Sequence, residues 1–217
     1  MPIAFIAASL AVTAFFSIWT WLVLGGDAIP AFDMDCARHW HDWSETHTGP
    51  WRFVLFITDL GGVAGMTILT LMAVLWQTSL GNGRYALAWL GIIIGAALLN
   101  QGVKEVFQRP RPPRELRNRA VMEETLSYPS GHSMNSVVNY GLLAYSLVLM
   151  QTCSWRRMAI IGGAVVIILG IGFSRMYLRA HWFSDVVGGF ALGAGWLFAC
   201  LAILEWSATP SAEQGSQ

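Results

Sequence analysis

The stretch "YPSGHSMNSVVNYGLLAYSLVLM", residues 128–150, opens with a proline, a serine, a glycine and a histidine and runs on into fourteen residues without a charge. A run of this kind, near the ~20 residues that a bilayer core requires, reads as a spanning helix. Pro129 suits the approach to a helix or its first turn, and Ser130 is a favoured N-cap. Gly131 allows another backbone or a ligand to come close. The N–H groups of such a helix start, at its positive dipole end, form an anion cradle. At this mouth stands His132, of the one residue type whose ordinary pKa lies near neutrality. What it does there depends on which side chains stand beside it.

The rest of the chain fits a membrane setting. Of 217 residues 55% are hydrophobic and only 12% charged, and the mean hydropathy is +0.51. Soluble domains carry roughly a quarter charged residues, so an all-α polytopic bundle is expected. The net charge of zero gives no sign of a nucleic-acid partner. Cys36, Cys153 and Cys200 fall in three separate segments, which predicts neither a disulfide nor a CxxC site. Six candidate spans follow: 3–24, 52–76, 85–107, 131–152, 158–174 and 183–206. The first reads as a span rather than a signal peptide, because it lacks a basic leader and exceeds the usual ~7–15 apolar residues. Residues 1–206 thus read as one membrane domain, and the small, polar residues 207–217 as a disordered tail.

Six spans put both termini on one side, with Arg84, Arg156 and Arg157. The other face then carries ten of the thirteen Lys and Arg residues. The positive-inside rule, applied by counting, would place that crowded face in the cytoplasm.

Three polar stretches meet this same face: "KEVFQRPRP" (104–112), "PSGH" (129–132) and "SRMYLRAHWFSD" (174–185). Lys104, Arg111, His132, Arg175, His181 and Asp185 can therefore converge. Three cations beside two histidines and a carboxylate suit a compact polyanion such as phosphate, with arginine forking onto two oxygens. His181 and Asp185 are four apart, on one helix face. Asp185 can accept from one ring nitrogen and leave the other as a nucleophile. His132 would stand opposite as the proton donor to the leaving oxygen.

Read as K-x6-RP, PSGH and SR-x5-H-x3-D, these stretches resemble at every signature position the tripartite motif of the type 2 phosphatidic acid phosphatase family. The six-span layout is similar to the bacterial membrane members over nearly the whole chain. The resemblance implies a metal-free phosphatase without a cofactor, with an active site at the outer membrane–water interface. It implies His181 as nucleophile, Asp185 as its orienting partner and His132 as general acid. Lys104, Arg111, Ser130, Gly131 and Arg175 would bind the phosphoryl oxygens. The substrate would be a lipid-linked phosphate such as undecaprenyl pyrophosphate, phosphatidylglycerophosphate or phosphatidic acid. The setting would be a bacterial inner membrane, with the site facing the periplasm or exterior. That conflicts with the charge count. The resemblance outweighs it here, because arginines held in a phosphate site are not free topology signals. A phosphotransferase passing the phosphoryl group to a second lipid is the alternative, followed by a non-catalytic lipid transporter. A haloperoxidase fits less well, since members with that activity are soluble.

Plainer readings compete for the remaining features. Juxtamembrane charges can simply pair for stability. A zinc site from His132, His181 and Asp185 has suitable ligand types, but three neighbouring cations would repel the metal. The segment "HWHDWSETH", with His39, His41, Asp42 and His47, reads as an amphipathic interfacial stretch because Trp40 and Trp43 interleave it. Asp59 is costly within a span and calls for a partner or an aqueous cavity. The basic loop after Arg111 could grip a headgroup or pair with Glu115, Glu123 and Glu124. Gly162, Gly163, Gly170, Gly172, Gly188 and Gly189 are expected at close helix contacts.

Overall fold

In lipid every backbone N–H and C=O must be satisfied within its own segment, so uncharged runs of this length become helices. The computed structural model describes residues 2–26, 28–47, 51–121 and 124–208, all helix or loop, with no strand among them. Eight helices follow in order: α1 Pro2–Leu24, α2 Ala31–Thr46, α3 Trp51–Leu60, α4 Val63–Ser79, α5 Gly83–Phe107, α6 Gly131–Leu149, α7 Ser154–Tyr177 and α8 Phe183–Ala208.

Four of these, α1, α5, α7 and α8, are long and apolar enough to cross a membrane by themselves. The expected span 52–76 is two helices. α3 and α4 meet at 46° across Gly61 and Gly62, and taken as one broken span they make a fifth candidate crossing. The expected span 131–152 corresponds to α6, which does not pass as a free-standing span. The reason lies in its partners. α6 is the central helix, touching α4, α5, α7 and α8, and its Ser133, Met134, Ser136, Val138 and Asn139 are wholly buried. Asn139 Oδ1 accepts from Thr70 Oγ1 at 2.9 Å, so its polar positions face protein and not lipid. The apolar core continues below them through Trp89, Ala96, Met134, Val138, Leu142 and Leu197.

The small-residue expectation holds for α8 and only partly for α7. A Cβ on Gly189 would lie 2.5 Å from the Ser130 carbonyl oxygen, and one on Gly188 would lie 2.6 Å from the Tyr128 hydroxyl. Gly172 meets Phe190 just as closely, while Gly170 has only an ordinary contact with Ile57. Gly162 and Gly163 face open space, so that part of the expectation fails. They lie on the outward side of α7, where nothing approaches.

One further correction concerns the end of α8. Ser207 and Ala208 continue α8 and do not belong to a tail; the rest of the expected tail, 209–217, lies outside the described residues. The interfacial stretch is a true helix, α2, and it rests on α7 and α8. Its Trp40 and Trp43 pack edge-on to each other and against Tyr177.

Candidate active site

The site forms where the far ends of α5 and α7 meet the near ends of α6 and α8. α5 stops because Gln108 turns left-handed (φ 45°), its N–H closing on the Lys104 carbonyl at 2.8 Å, and prolines follow at 110, 112 and 113. Lys104, one turn earlier, therefore sits buried beneath the returning loop and donates from Nζ to the carbonyls of Leu126 and Ser127. Arg111 spans the opening. It donates to the Thr125 carbonyl at 2.7 Å and to the Ala180 carbonyl at 2.8 Å. Arg175, in the last turn of α7, is buried and donates to Thr58 Oγ1 at 2.9 Å.

Ser130 is the N-cap of α6, as its sequence position suggested: its hydroxyl accepts from the Ser133 N–H at 3.4 Å. The N–H groups of Gly131 and His132 come before the first helical hydrogen bond and face outward from the helix end. His132 borders the α3–α4 break, where a Cβ on Gly62 would stand 3.7 Å from its Nε2. Lys104, Arg111 and Arg175 all lie close enough to act electrostatically on both His132 and His181. The six residues expected to converge do so.

His181 lies in the turn between α7 and α8, its Nδ1 3.3 Å from Asp185 Oδ2. Burial pushes its pKa well below the usual histidine value, and the charges of Arg111, Arg175 and Lys104 push the same way. Both influences favour the neutral ring. A proton on Nδ1, facing Asp185, would leave the lone pair on Nε2.

Asp185 has more partners than its sequence position revealed. Oδ2 also accepts from the Trp182 N–H at 2.9 Å and from the Ser127 hydroxyl, and Oδ1 accepts from Arg109 at 2.6 Å. The other arm of Arg109 reaches Asp33 Oδ2 at 2.8 Å. The sequence carries only slight signals for either residue: Arg109 stands two residues before the motif arginine, and Asp33 is the first of two carboxylates, with Asp35, at the start of an amphipathic segment.

The remaining expectations resolve one by one. In the basic loop Arg114 pairs with Glu124 at 2.6 Å on the surface, and Glu123 lies outside the described residues. Asp59 is exposed in the last turn of α3, just before the break. His39 packs edge-on to Trp40 and His47 stacks on Trp43. Among the described residues no group of three or more His, Cys, Asp or Glu is placed to hold a metal ion. The three cysteines are free thiols.

A sequence profile described as the PAP2 superfamily matches residues 85–208, more than half of the chain and all three motif stretches. The chain belongs to the PAP2 superfamily. Phosphatidylglycerophosphatase B of Bacillus subtilis (strain 168) is 35% identical over 153 residues, which cover 66% of this chain and 71% of the relative. The fold agrees over a wider range. The crystal structure of the first transmembrane PAP2 type phosphatidylglycerolphosphate phosphatase from Bacillus subtilis matches with a TM-score of 0.83 at 27% identity. That match covers 92% of this chain and 96% of the other. This PAP2 chain is accordingly an integral membrane protein of helices. Its helices α1–α4 lie outside the profile match, and Asp33 with them.

Proposed function

We propose that this lipid phosphate phosphatase works through a phosphohistidine on His181 and that phosphatidylglycerophosphate is the first substrate to test. In this reading Nε2 of His181 attacks phosphorus in line, forming the P–N bond as the P–O bond to the lipid breaks. His132, protonated once the bound phosphate offsets the three cations, gives its proton to the departing oxygen. Lys104, Arg111 and Arg175, with the N–H groups at the start of α6, hold the three equatorial oxygens where charge is greatest. Water then attacks the phosphohistidine, His132 takes its proton, and inorganic phosphate leaves as the P–N bond breaks. Asp185 keeps the Nδ1 proton throughout and stabilises the ring while it carries the phosphoryl group. The observation that carries the reading is a buried His181, its Nδ1 3.3 Å from Asp185, amid three cations suited to phosphate.

The donor set favours a reaction without a metal, because Lys104, Arg111 and Arg175 would repel a divalent ion from the histidines. The substrate class rests on the relatives, both named for phosphatidylglycerophosphate. Undecaprenyl pyrophosphate and phosphatidic acid present the same terminal phosphate. In this reading the site faces the periplasmic or exterior side of a bacterial inner membrane. Lys104, Arg109, Arg175 and Arg179 on that face are buried in protein contacts, which weakens the contrary charge count.

The test is phosphate release by purified protein in detergent with EDTA present, from each of the three lipids. Release that survives EDTA and vanishes in His181→Ala is expected. Retention of a tenth of the activity in His181→Ala would remove it as nucleophile. Loss of activity in EDTA alone would sink the metal-free reading.

A further inference from the structure

We infer that Asp33 and Arg109 are positioning residues for the nucleophile, forming with Ser184 a buried relay that fixes Asp185 behind His181. The inference rests on the phosphohistidine reading above. Arg109 divides its guanidinium between two carboxylates: Nη1 donates to Asp185 Oδ1 at 2.6 Å and Nη2 to Asp33 Oδ2 at 2.8 Å. Ser184 closes the triangle. Its Oγ accepts from Arg109 Nη1 at 2.7 Å and donates to Asp33, while its N–H donates to Asp33 Oδ1 at 2.9 Å. Asp33 thus caps the first turn of α8 from another helix, α2, as a local N-cap residue would. Both carboxylates are fully buried and Arg109 almost so.

Burial makes the charge balance matter. A lone Arg109 on Asp185 would cancel the charge that is to support His181 once it bears a phosphoryl group. With Asp33 sharing the cation, two ionised carboxylates and one guanidinium would leave one net negative charge next to the imidazole. The geometry is pinned as well. Trp182, whose indole lies beneath Arg109 with 5.8 Å from the guanidinium to the ring, donates its indole N–H to the Pro110 carbonyl at 2.9 Å. The Ser127 N–H donates to the Arg109 carbonyl at 2.8 Å, and the Ser127 hydroxyl returns to Asp185. Asp185 can hardly move relative to Arg109 without breaking several of these bonds. Neither Asp33 nor Arg109 touches the phosphate in this scheme; both act through Asp185.

The test compares Asp33→Asn, Arg109→Lys, Arg109→Met and Ser184→Ala with the wild-type chain in detergent. Phosphatidylglycerophosphate is the substrate, and orthovanadate the inhibitor that imitates the five-coordinate transition state on a histidine nitrogen. Asp33→Asn keeps the shape and removes the charge. It should lower kcat by about 10- to 100-fold, the usual cost of a misplaced catalytic group, and leave KM within about twofold. The inhibition constant for orthovanadate should rise by the same factor as kcat falls. Arg109→Lys should retain more activity than Arg109→Met. A merely structural role would reduce the active fraction, so kcat would drop while the vanadate constant stayed at its wild-type value; that result overturns the inference. If Asp33→Asn does not fold, Ser184→Ala decides. It leaves the backbone link to Asp33 and removes one hydroxyl, and wild-type kcat and vanadate affinity in it would overturn the relay. His181→Ala is run in parallel. Activity there would sink the nucleophile reading itself, whereas an inactive His181→Ala beside a wild-type Asp33→Asn sinks the relay alone.

Discussion

A buried histidine among three cations is an unusual place to keep a base, and the consequence is a definite pH behaviour. Protonated His181 cannot attack phosphorus. Its pKa in the free enzyme is held well below 6.5 by burial first and then by Arg111, Arg175 and Lys104. The neutral ring therefore persists as pH falls through 6.5, and kcat/KM should show no acid limb at the ordinary histidine value. Removing one cation reverses part of the shift. In Lys104→Ala the acid limb should move to higher pH while kcat/KM falls throughout, which a pH profile from 4 to 8 at roughly half-unit steps would reveal. An unmoved limb in Lys104→Ala would mean that this cation does not act on the nucleophile. At this scale the sequence was informative for residues whose motif spacing is local, such as His181 and Asp185 four apart. It was silent on Arg109 and Asp33, 76 residues from each other and joined only by the fold.

Helices can share a composition and yet play opposite parts, as the glycine pairs demonstrate. Gly162–Gly163 and Gly188–Gly189 look alike in apolar sequence, but only the second pair meets close neighbours, Gly188 the Tyr128 ring and Gly189 the Ser130 backbone. Gly189→Ala would force α8 away from Ser130, whose N–H donates to the Asp185 carbonyl at 3.0 Å. Overpacking of this kind costs about 1–3 kcal/mol, so a lower melting temperature in detergent and loss of turnover are expected. Gly162→Ala should change neither, and equal effects from the two would refute the packing account. The broken second span was hidden for a related reason. Hydropathy runs on through Gly61 and Gly62, since glycine is nearly neutral on such scales, although a Gly–Gly pair is also a helix breaker. α6 erred the other way. Its apolar residues read as a span, while its serines and asparagines reported that the helix is enclosed by others.

For the whole molecule, parity of spans brought the three motifs to one face without any knowledge of packing, and the fold agrees. Sidedness is a separate matter that charge counting reads the opposite way. In a chain whose Cys36, Cys153 and Cys200 are replaced by serine, Arg119→Cys on the site face should react with a membrane-impermeant maleimide in intact cells. Arg84→Cys, near the α4–α5 turn on the opposite face, should react only after the cells are opened. The reverse pattern would put the phosphate site in the cytoplasm.

The gap between α3 and α4 bears on where the second reactant comes from. The carbonyls at the break are satisfied: Thr58 and Asp59 accept from the Gly61 and Gly62 N–H groups at 3.0 and 3.1 Å, and Leu60 from the Tyr140 hydroxyl at 3.3 Å. Asp59 itself is exposed on the bundle surface, and a carboxylate is costly in hydrocarbon, so the aqueous phase is expected along α3 as far as residue 59. Gly62, three residues further, borders the His132 ring. On that expectation the waterline lies beside the histidine proposed to activate water, and the hydrolytic step would draw on bulk solvent without a channel through the bundle.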